Sequence, residues 1–283
     1  MSRITEKPLF ITIGAMKSGT SSLHQYLRLH PEIHVSWVKE TNHFKLPKPP
    51  PGGMLRYQAL LTGPGRIVGE TSPNYTKALI FPGVARRMHE AVPEARLIYI
   101  LRDPVDRALS HYHHNRLHGR ERRTIETAFM SDVDNNYIDT SRYYSQLEHF
   151  LCYYQKDRIL VLDFAELKSN PQQVMRRVFG FVGVAPDFTH PHIGRVFHDS
   201  KSKRQPNALG RILTEIPVVR NLRYGLPWLF ENPLERPVIS PDLRTRLEDW
   251  LRPDAELMRN FAELPFASWS VFKTIGTKGS GDS

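Results

Sequence analysis

Apolar residues in this chain gather into short runs, and their spacing changes from run to run. Phe10-Ile11-Thr12-Ile13 is β-rich and ends at Gly14; Leu23, Tyr26 and Leu27 then recur at helical spacing. That predicts strand, loop and helix. Pro31 breaks the helix, after which Ile33, Val35 and Trp37 alternate as in a short strand. Ile67-Val68-Gly69-Glu70 predicts another strand, and Val84 to Ala91 a helix stopped by Pro93. Arg96-Leu97-Ile98-Tyr99-Ile100-Leu101 is nearly all apolar, as in a parallel strand buried on both faces. Asp103 and Pro104 suit the cap and first turn of a helix over Val105 to Leu117.

Further helices are predicted over Thr124 to Met130 and over Tyr143 to Tyr154, the latter turning Leu147, Phe150, Leu151 and Tyr154 inward. Arg158 to Asp163 predicts a buried strand, and Asn170-Pro171 opens a helix to about Val182. Strand and helix alternate, so the expected fold class is α/β: a central, mostly parallel sheet flanked by helices in three layers. Pro47 to Gly53 and Ser200 to Gln205 read as loops. Leu209 to Leu213 reads as a helix and Leu222 to Pro233 as irregular. Pro241 to Leu251 and Asp254 to Phe261 read as two helices. One domain over residues 1–275 and a disordered tail over 276–283 are expected.

Composition narrows the function. The 283 residues carry 39 Lys and Arg against 29 Asp and Glu, a formal net charge of +10. A basic surface implies anionic partners. No zinc-finger spacing or other nucleic-acid motif accompanies it. No apolar run reaches the length needed to span a bilayer. Residues 1–8 are polar and lead into the first strand, so no leader and a cytoplasmic location are expected. The sole cysteine, Cys152, lies in an aromatic run and is expected to be a packed thiol.

The turn after the first strand holds the first candidate chemistry: Gly14-x-x-Lys17-Ser18-Gly19-Thr20-Ser21. Glycine lets a ligand approach the backbone, helix-start amides favour an anion, and Lys17 adds a full charge. A Walker loop would place lysine directly after the second glycine; here it comes before. The second candidate is Arg102-Asp103-Pro104-Val105-Asp106-Arg107-Ala108-Leu109-Ser110. Arg102 ends a central strand, where ligands of open α/β sheets collect. An arginine fork with the Ser110 hydroxyl can clamp a phosphate. Arg102 could instead pair with Asp106.

Together, in this order, the two segments resemble those of sulfotransferases that use 3′-phosphoadenosine 5′-phosphosulfate (PAPS), most closely the carbohydrate-type and bacterial branch that includes heparan sulfate sulfotransferase domains. Gly69-Glu70-Thr71-Ser72-Pro73-Asn74-Tyr75 and Lys39-Glu40-Thr41-Asn42-His43-Phe44 also resemble family segments. Thr71 stands where the family carries lysine. The resemblance implies a P-loop-like fold and PAPS as co-substrate, with adenosine 3′,5′-bisphosphate as product. It implies that Lys17, Ser18, Gly19, Thr20 and Ser21 hold the 5′ end, Arg102 and Ser110 the 3′-phosphate, and Lys203 and Arg204 a closing loop. It makes Glu40 the general base and Lys17 the catalytic cation, with no metal required. His43 is a rival base, because histidine titrates near neutrality. Glu70 reads as structural.

The implied acceptor offers a hydroxyl, or an amine, on a saccharide, a lipid or a small molecule; no nucleic-acid partner is implied. Two other readings stand beside this one. A P-loop kinase or NTPase would need a Walker loop and an acid after an apolar strand, for which Asp163 is the candidate. A non-catalytic polyanion-binding module would need only the basic surface. His111, His114 and His118 share a helix face but lack the carboxylate or cysteine of a metal site.

Overall fold

The computed structural model describes residues 4–131, 135–195, 204–206, 231–233 and 238–273. Strands β1 (Leu9–Gly14), β2 (Ile33–Val35), β3 (Ile67–Thr71), β4 (Arg96–Leu101) and β5 (Ile159–Asp163) form one sheet in the order β2-β3-β1-β4-β5. Every pairing in it is parallel. The helices are α1 (Thr20–Arg28), α2 (Gly53–Leu60), α3 (Val84–Ala91), α4 (Pro104–Leu117), α5 (Ile125–Met130), α6 (Asn136–Asp139), α7 (Tyr143–Leu151), α8 (Phe164–Ser169), α9 (Pro171–Val182) and α10 (Pro241–Ala262). A two-stranded antiparallel ladder joins β6 (Arg204–Pro206) to β7 (Glu231–Pro233).

Alternation along the strands divides the core. Leu9, Ile11, Ile13, Leu97, Tyr99 and Leu101 face a cluster closed by α3, α4, α7 and α10. Phe10, Ile98, Ile100 and Leu162 face the other, closed by α1, α8 and α9. Both faces are covered, so the parallel strands have no solvent side. From β1 the chain runs to the edge strand β2, returns through β3 between β2 and β1, then crosses to β4 on the other side of β1. The order therefore reverses between β1 and β4, and the loops leaving their C-terminal ends part to open a crevice. No helix among the described residues is long and apolar enough to cross a membrane.

Several local expectations change. β2 stops at Val35, and Trp37 is 71% exposed, because the Ser36 hydroxyl donates to the Val38 carbonyl and turns the chain. α7 ends at Leu151, leaving Cys152 exposed rather than packed. The two helices expected after Pro241 are one, α10, with Pro253 inside it. An interior proline costs roughly 3 kcal/mol, but both halves of α10 are pinned: Leu247, Leu251, Ala255 and Met258 are buried. Arg204 and Gln205 lie in β6 rather than a loop. Residues 200–203, 209–213 and 276–283 lie outside the described residues.

Asp254 is the polar pin of α10. Its buried carboxylate accepts from the Tyr144 and Ser145 amides at 3.0 and 2.9 Å, and from the Ser145 hydroxyl at 2.7 Å, at the start of α7. Asp254→Ala is expected to lower unfolding stability by about 2–3 kcal/mol. A urea midpoint equal to wild type would contradict this.

Candidate active site

The turn after β1 is shaped by what presses on it. A Cβ on Gly14 would lie 2.2 Å from the Thr76 hydroxyl and 2.8 Å from the Tyr99 ring. One on Gly19 would lie 2.4 Å from the Phe164 ring, and the φ of +91° there suits glycine. Lys17 also has positive φ, 74°. The Ser18 amide already donates to the Ala15 carbonyl at 3.2 Å, which removes it from the expected set of anion donors. Its hydroxyl remains, buried beside the Tyr143 hydroxyl. α1 begins at Thr20 with no side-chain cap, so its first-turn amides at Thr20 and Ser21 are offered at a positive dipole end. Orphaned donors in a glycine cradle fit a phosphate.

β4 lies beside β1, and Arg102 leaves its end. The Tyr143 hydroxyl donates to the Arg102 carbonyl at 2.8 Å. The Arg102 guanidinium lies 6.0 Å from the Phe164 ring, the ring that also underlies Gly19. The two candidate anion sites therefore share one aromatic support and one crest. The alternative pairing of Arg102 with Asp106 is present, at 3.5 Å. Ser110 stands one turn beyond Asp106 on α4 and is half-buried. Arg244, from α10, reaches Asp106 at 3.4 Å and so joins Arg102. No local sequence signal marks Arg244, because α10 brings it there from far along the chain. Lys203 lies outside the described residues, and Arg204 is described only as part of β6.

Glu40 borders the crevice from the β3 side. The Ser36 and Glu40 amides donate to the Gly69 and Thr71 carbonyls, both at 2.8 Å. Glu40 and Asn42 have φ of 63° and 52°, conformations that cost non-glycine residues about 1 kcal/mol or more. They are held by the Asn42 amide donating to the Ser72 hydroxyl at 3.0 Å, and by the Asn42 side chain donating to the Glu40 carbonyl at 2.9 Å. The Glu40 carboxylate is 39% exposed, pairs with Lys39 at 2.8 Å and accepts a long 3.5 Å bond from Asn74. Asn74, which no sequence signal singled out, also donates to the Asn42 side chain at 3.2 Å.

The rival groups are committed elsewhere. Glu70 is fully buried and accepts from the hydroxyls of Thr41, Tyr57, Ser72 and Tyr75. Burial raises its pKa, and the four hydroxyls oppose the rise. It braces the segment that carries Glu40. His43 stacks on Tyr57 with ring centroids 4.3 Å apart, and burial lowers its pKa. Thr71 is buried and bonded to His24 at 3.1 Å; burial pushes that imidazole down to about 4, so it stays neutral at pH 7.

The interior side of the crevice is cationic. Lys77 and Arg107 are buried, and His111 lies with them. Arg107 donates to the Ser141 hydroxyl at 2.7 Å and to the Tyr137 carbonyl, neutral partners both. Burial and the charges of Arg107, Lys77, His114 and Lys17 hold His111 well below its ordinary range. Burial, then Arg107, pushes Lys77 down to about 7. A cavity of about 610 Å³ between Lys7, Val92, Arg96 and Arg158 lies at the opposite end of the strands, away from all these groups.

A family model described as the sulfotransferase domain matches residues 7–217. The chain belongs to the sulfotransferase domain family. It is similar to the human bifunctional heparan sulfate N-deacetylase/N-sulfotransferase 2, with 27% identity over 69% of this chain and 24% of that protein. It is also similar to the human heparan sulfate glucosamine 3-O-sulfotransferase 3B1, with 29% identity over 70% of this chain and 51% of that one. The chain thus matches at most about half the length of these relatives. Among solved structures, a sulfotransferase from Alicyclobacillus acidocaldarius superposes with a TM-score of 0.68 and 25% identity. That match covers 94% of this chain and 99% of the other. The family's fold, an α/β sheet flanked by helices, is the one expected.

Lys77 gives this sulfotransferase-family domain a pH signature. Its folded pKa of about 7 lies below the ordinary lysine value of 10.5. Between those values the unfolded chain holds a proton that the folded chain has released, so this group's contribution to stability rises with pH. Below about pH 7 both states are protonated and the slope vanishes. From pH 7 to 9 the wild type is expected to gain stability relative to Lys77→Met at up to about 1.4 kcal/mol per pH unit. Parallel urea midpoints for the two proteins across that range would contradict it.

Proposed function

We propose that this chain transfers a sulfuryl group from PAPS to a hydroxyl or amine of an acceptor, with a saccharide as the favoured class. One observation carries this reading: the Lys17 turn and the Arg102–Ser110 segment stand at the ends of neighbouring parallel strands and share the Phe164 ring. Two anion sites on one crest suit a donor with phosphate at both its 3′ and 5′ positions. The names of the heparan sulfate relatives support a saccharide acceptor.

PAPS supplies the activated sulfuryl group. The residues supply position and charge, which carry most of the catalysis when a group passes in line through a loose transition state. First-turn amides of α1 and the Ser18, Thr20 and Ser21 hydroxyls hold the 5′-phosphate. Arg102 exchanges its long contact with Asp106 for the 3′-phosphate, with Ser110 completing the clamp. Lys17 stabilises negative charge developing on the bridging oxygen as its bond to sulfur breaks. Glu40 takes the proton from the acceptor atom as the new bond to sulfur forms. Lysine and arginine do the charge neutralisation, so Mg²⁺ has no part in this reading. The turn order argues against the P-loop NTPase reading, and Mg²⁺-dependent ATP hydrolysis would revive that reading.

Adenosine 3′,5′-bisphosphate at about 100 times its Kd is expected to stabilise the protein by roughly 2.7 kcal/mol. The absence of any thermal shift at saturation would refute the donor assignment. Glu40→Gln is expected to lose about 10²- to 10⁴-fold in kcat while its nucleotide affinity stays within a factor of two or so of wild type. Lys17→Ala is expected to lose turnover. Normal turnover in either variant would remove that residue from its role.

A further inference from the structure

Lys77 and Arg107 are buried cations of this crevice with no part in the steps above, and Arg107 is held by Ser141 and Tyr137. Lys77 is 6% exposed and belongs to the turn that follows Tyr75. Its ammonium donates to the Met16 thioether at 2.9 Å. A thioether is a weak acceptor and carries no charge. Met16 adjoins Lys17, so this bond lays the Lys77 ammonium against the flank of the anion-binding turn. Among charged neighbours, Arg107 and Arg120 from α4 and its following loop oppose its charge, as does Lys45; Glu40 favours it. His111 also feels it. A buried ammonium with more cations than anions around it costs free energy unless an anion joins it.

The hydroxyls around it reinforce the point. Thr76, beside Lys77 in sequence, has its hydroxyl buried against Gly14 and facing that of Tyr99, and the Ser18 hydroxyl is buried beside that of Tyr143. These buried hydroxyls and the ammonium are grouped around the Lys17 turn. Position 71, at the end of β3, offers no charge: Thr71 is neutral, and so is the His24 ring it bonds. The cation on this side of the crevice comes from Lys77 instead.

We propose that Lys77 is a further catalytic residue: its ammonium binds a sulfuryl oxygen of the donor, on the face of the Lys17 turn that looks toward Glu40. This rests on the sulfuryl-transfer reading above. Lys77 then holds the transferring group from the acceptor side while Lys17 holds the bridging oxygen. The sulfur–oxygen bond to the nucleotide breaks, the bond to the acceptor forms, and Lys77 keeps its proton throughout. Near neutral pH the free group is poised between charged and neutral forms, and an anion beside it draws the proton on.

The test compares calorimetric affinities for PAPS, which carries the sulfuryl group, and for adenosine 3′,5′-bisphosphate, which lacks it. Wild type, Lys77→Met and Lys77→Arg are each measured at pH 6 and pH 9. Lys77→Met is expected to lose about 10- to 100-fold in PAPS affinity at pH 6, with bisphosphate affinity within about twofold of wild type. Lys77→Arg is expected to recover most of the loss. The advantage of wild type over Lys77→Met is expected to shrink by pH 9, because the lysine has then shed its charge. A merely structural lysine would weaken both ligands together. Equal PAPS-to-bisphosphate ratios in wild type and Lys77→Met, with bisphosphate still bound, would overturn the role of Lys77 alone. A wild type that binds neither nucleotide would overturn the donor reading and this proposal with it. Should Lys77→Met not fold, a wild-type level of PAPS preference in Lys77→Gln would overturn the proposal equally.

Discussion

Positive charge gathered at the crest of one parallel sheet, half of it out of water, is the constraint that the rest of the chain serves. Lys17, Lys77, Arg102 and Arg107 come from three different stretches; Lys77 and Arg107 are buried, where little solvent screens their repulsion, and Lys17 and Arg102 are half-buried. Such an arrangement is stable only because the frame holding it is stiff. β1 and β4 are buried on both faces. Tyr143 fixes the Arg102 carbonyl, and Arg107 is bound by neutral oxygens that satisfy its donors without cancelling its charge.

Topology decides where that charge collects. Because the strand order reverses between β1 and β4, the connections leaving their C-terminal ends diverge and cannot cover the gap. Phe164, at the start of α8, fills the space beneath it. The ring sets how close α1 can come through Gly19 and lies within cation–π range of Arg102. The acidic partner enters from the opposite flank. Glu70 anchors four hydroxyls in the interior, and that network fixes the strained backbone that carries Glu40 to the rim. Two carboxylates on neighbouring segments thus have different work, one bracing and one exposed.

Lys17, Arg102, Ser110 and Glu40 could be singled out in the sequence as candidates because each sits in a short segment whose neighbours dictate its place: a strand end, a helix start, a strained turn. The central strands were legible because a strand buried on both faces must be apolar throughout. Lys77, Asn74 and Arg244 were not. Their importance comes from which groups they meet across the fold, and a lysine two residues past a tyrosine carries no mark of burial. Trp37 continued an alternation that the Ser36 hydroxyl bond ends, and Cys152 borrowed an apolar look from neighbours that point elsewhere. Pro253 read as a helix boundary because local propensity says so; packing of α10 on both sides of it overrides that preference. The Ser18 amide could not be known to be spent until the Ala15 carbonyl was seen to accept it.

The most direct measurement is a crystal structure of the protein grown with adenosine 3′,5′-bisphosphate. The 5′-phosphate is expected against the amides of Gly19, Thr20 and Ser21 with the Ser18 hydroxyl and Lys17 beside it, and the 3′-phosphate between Arg102 and Ser110, with Asp106 displaced from the guanidinium. A nucleotide lodged away from the β1–β4 crest, or one whose 3′-phosphate leaves the Arg102–Asp106 pair intact, would contradict it.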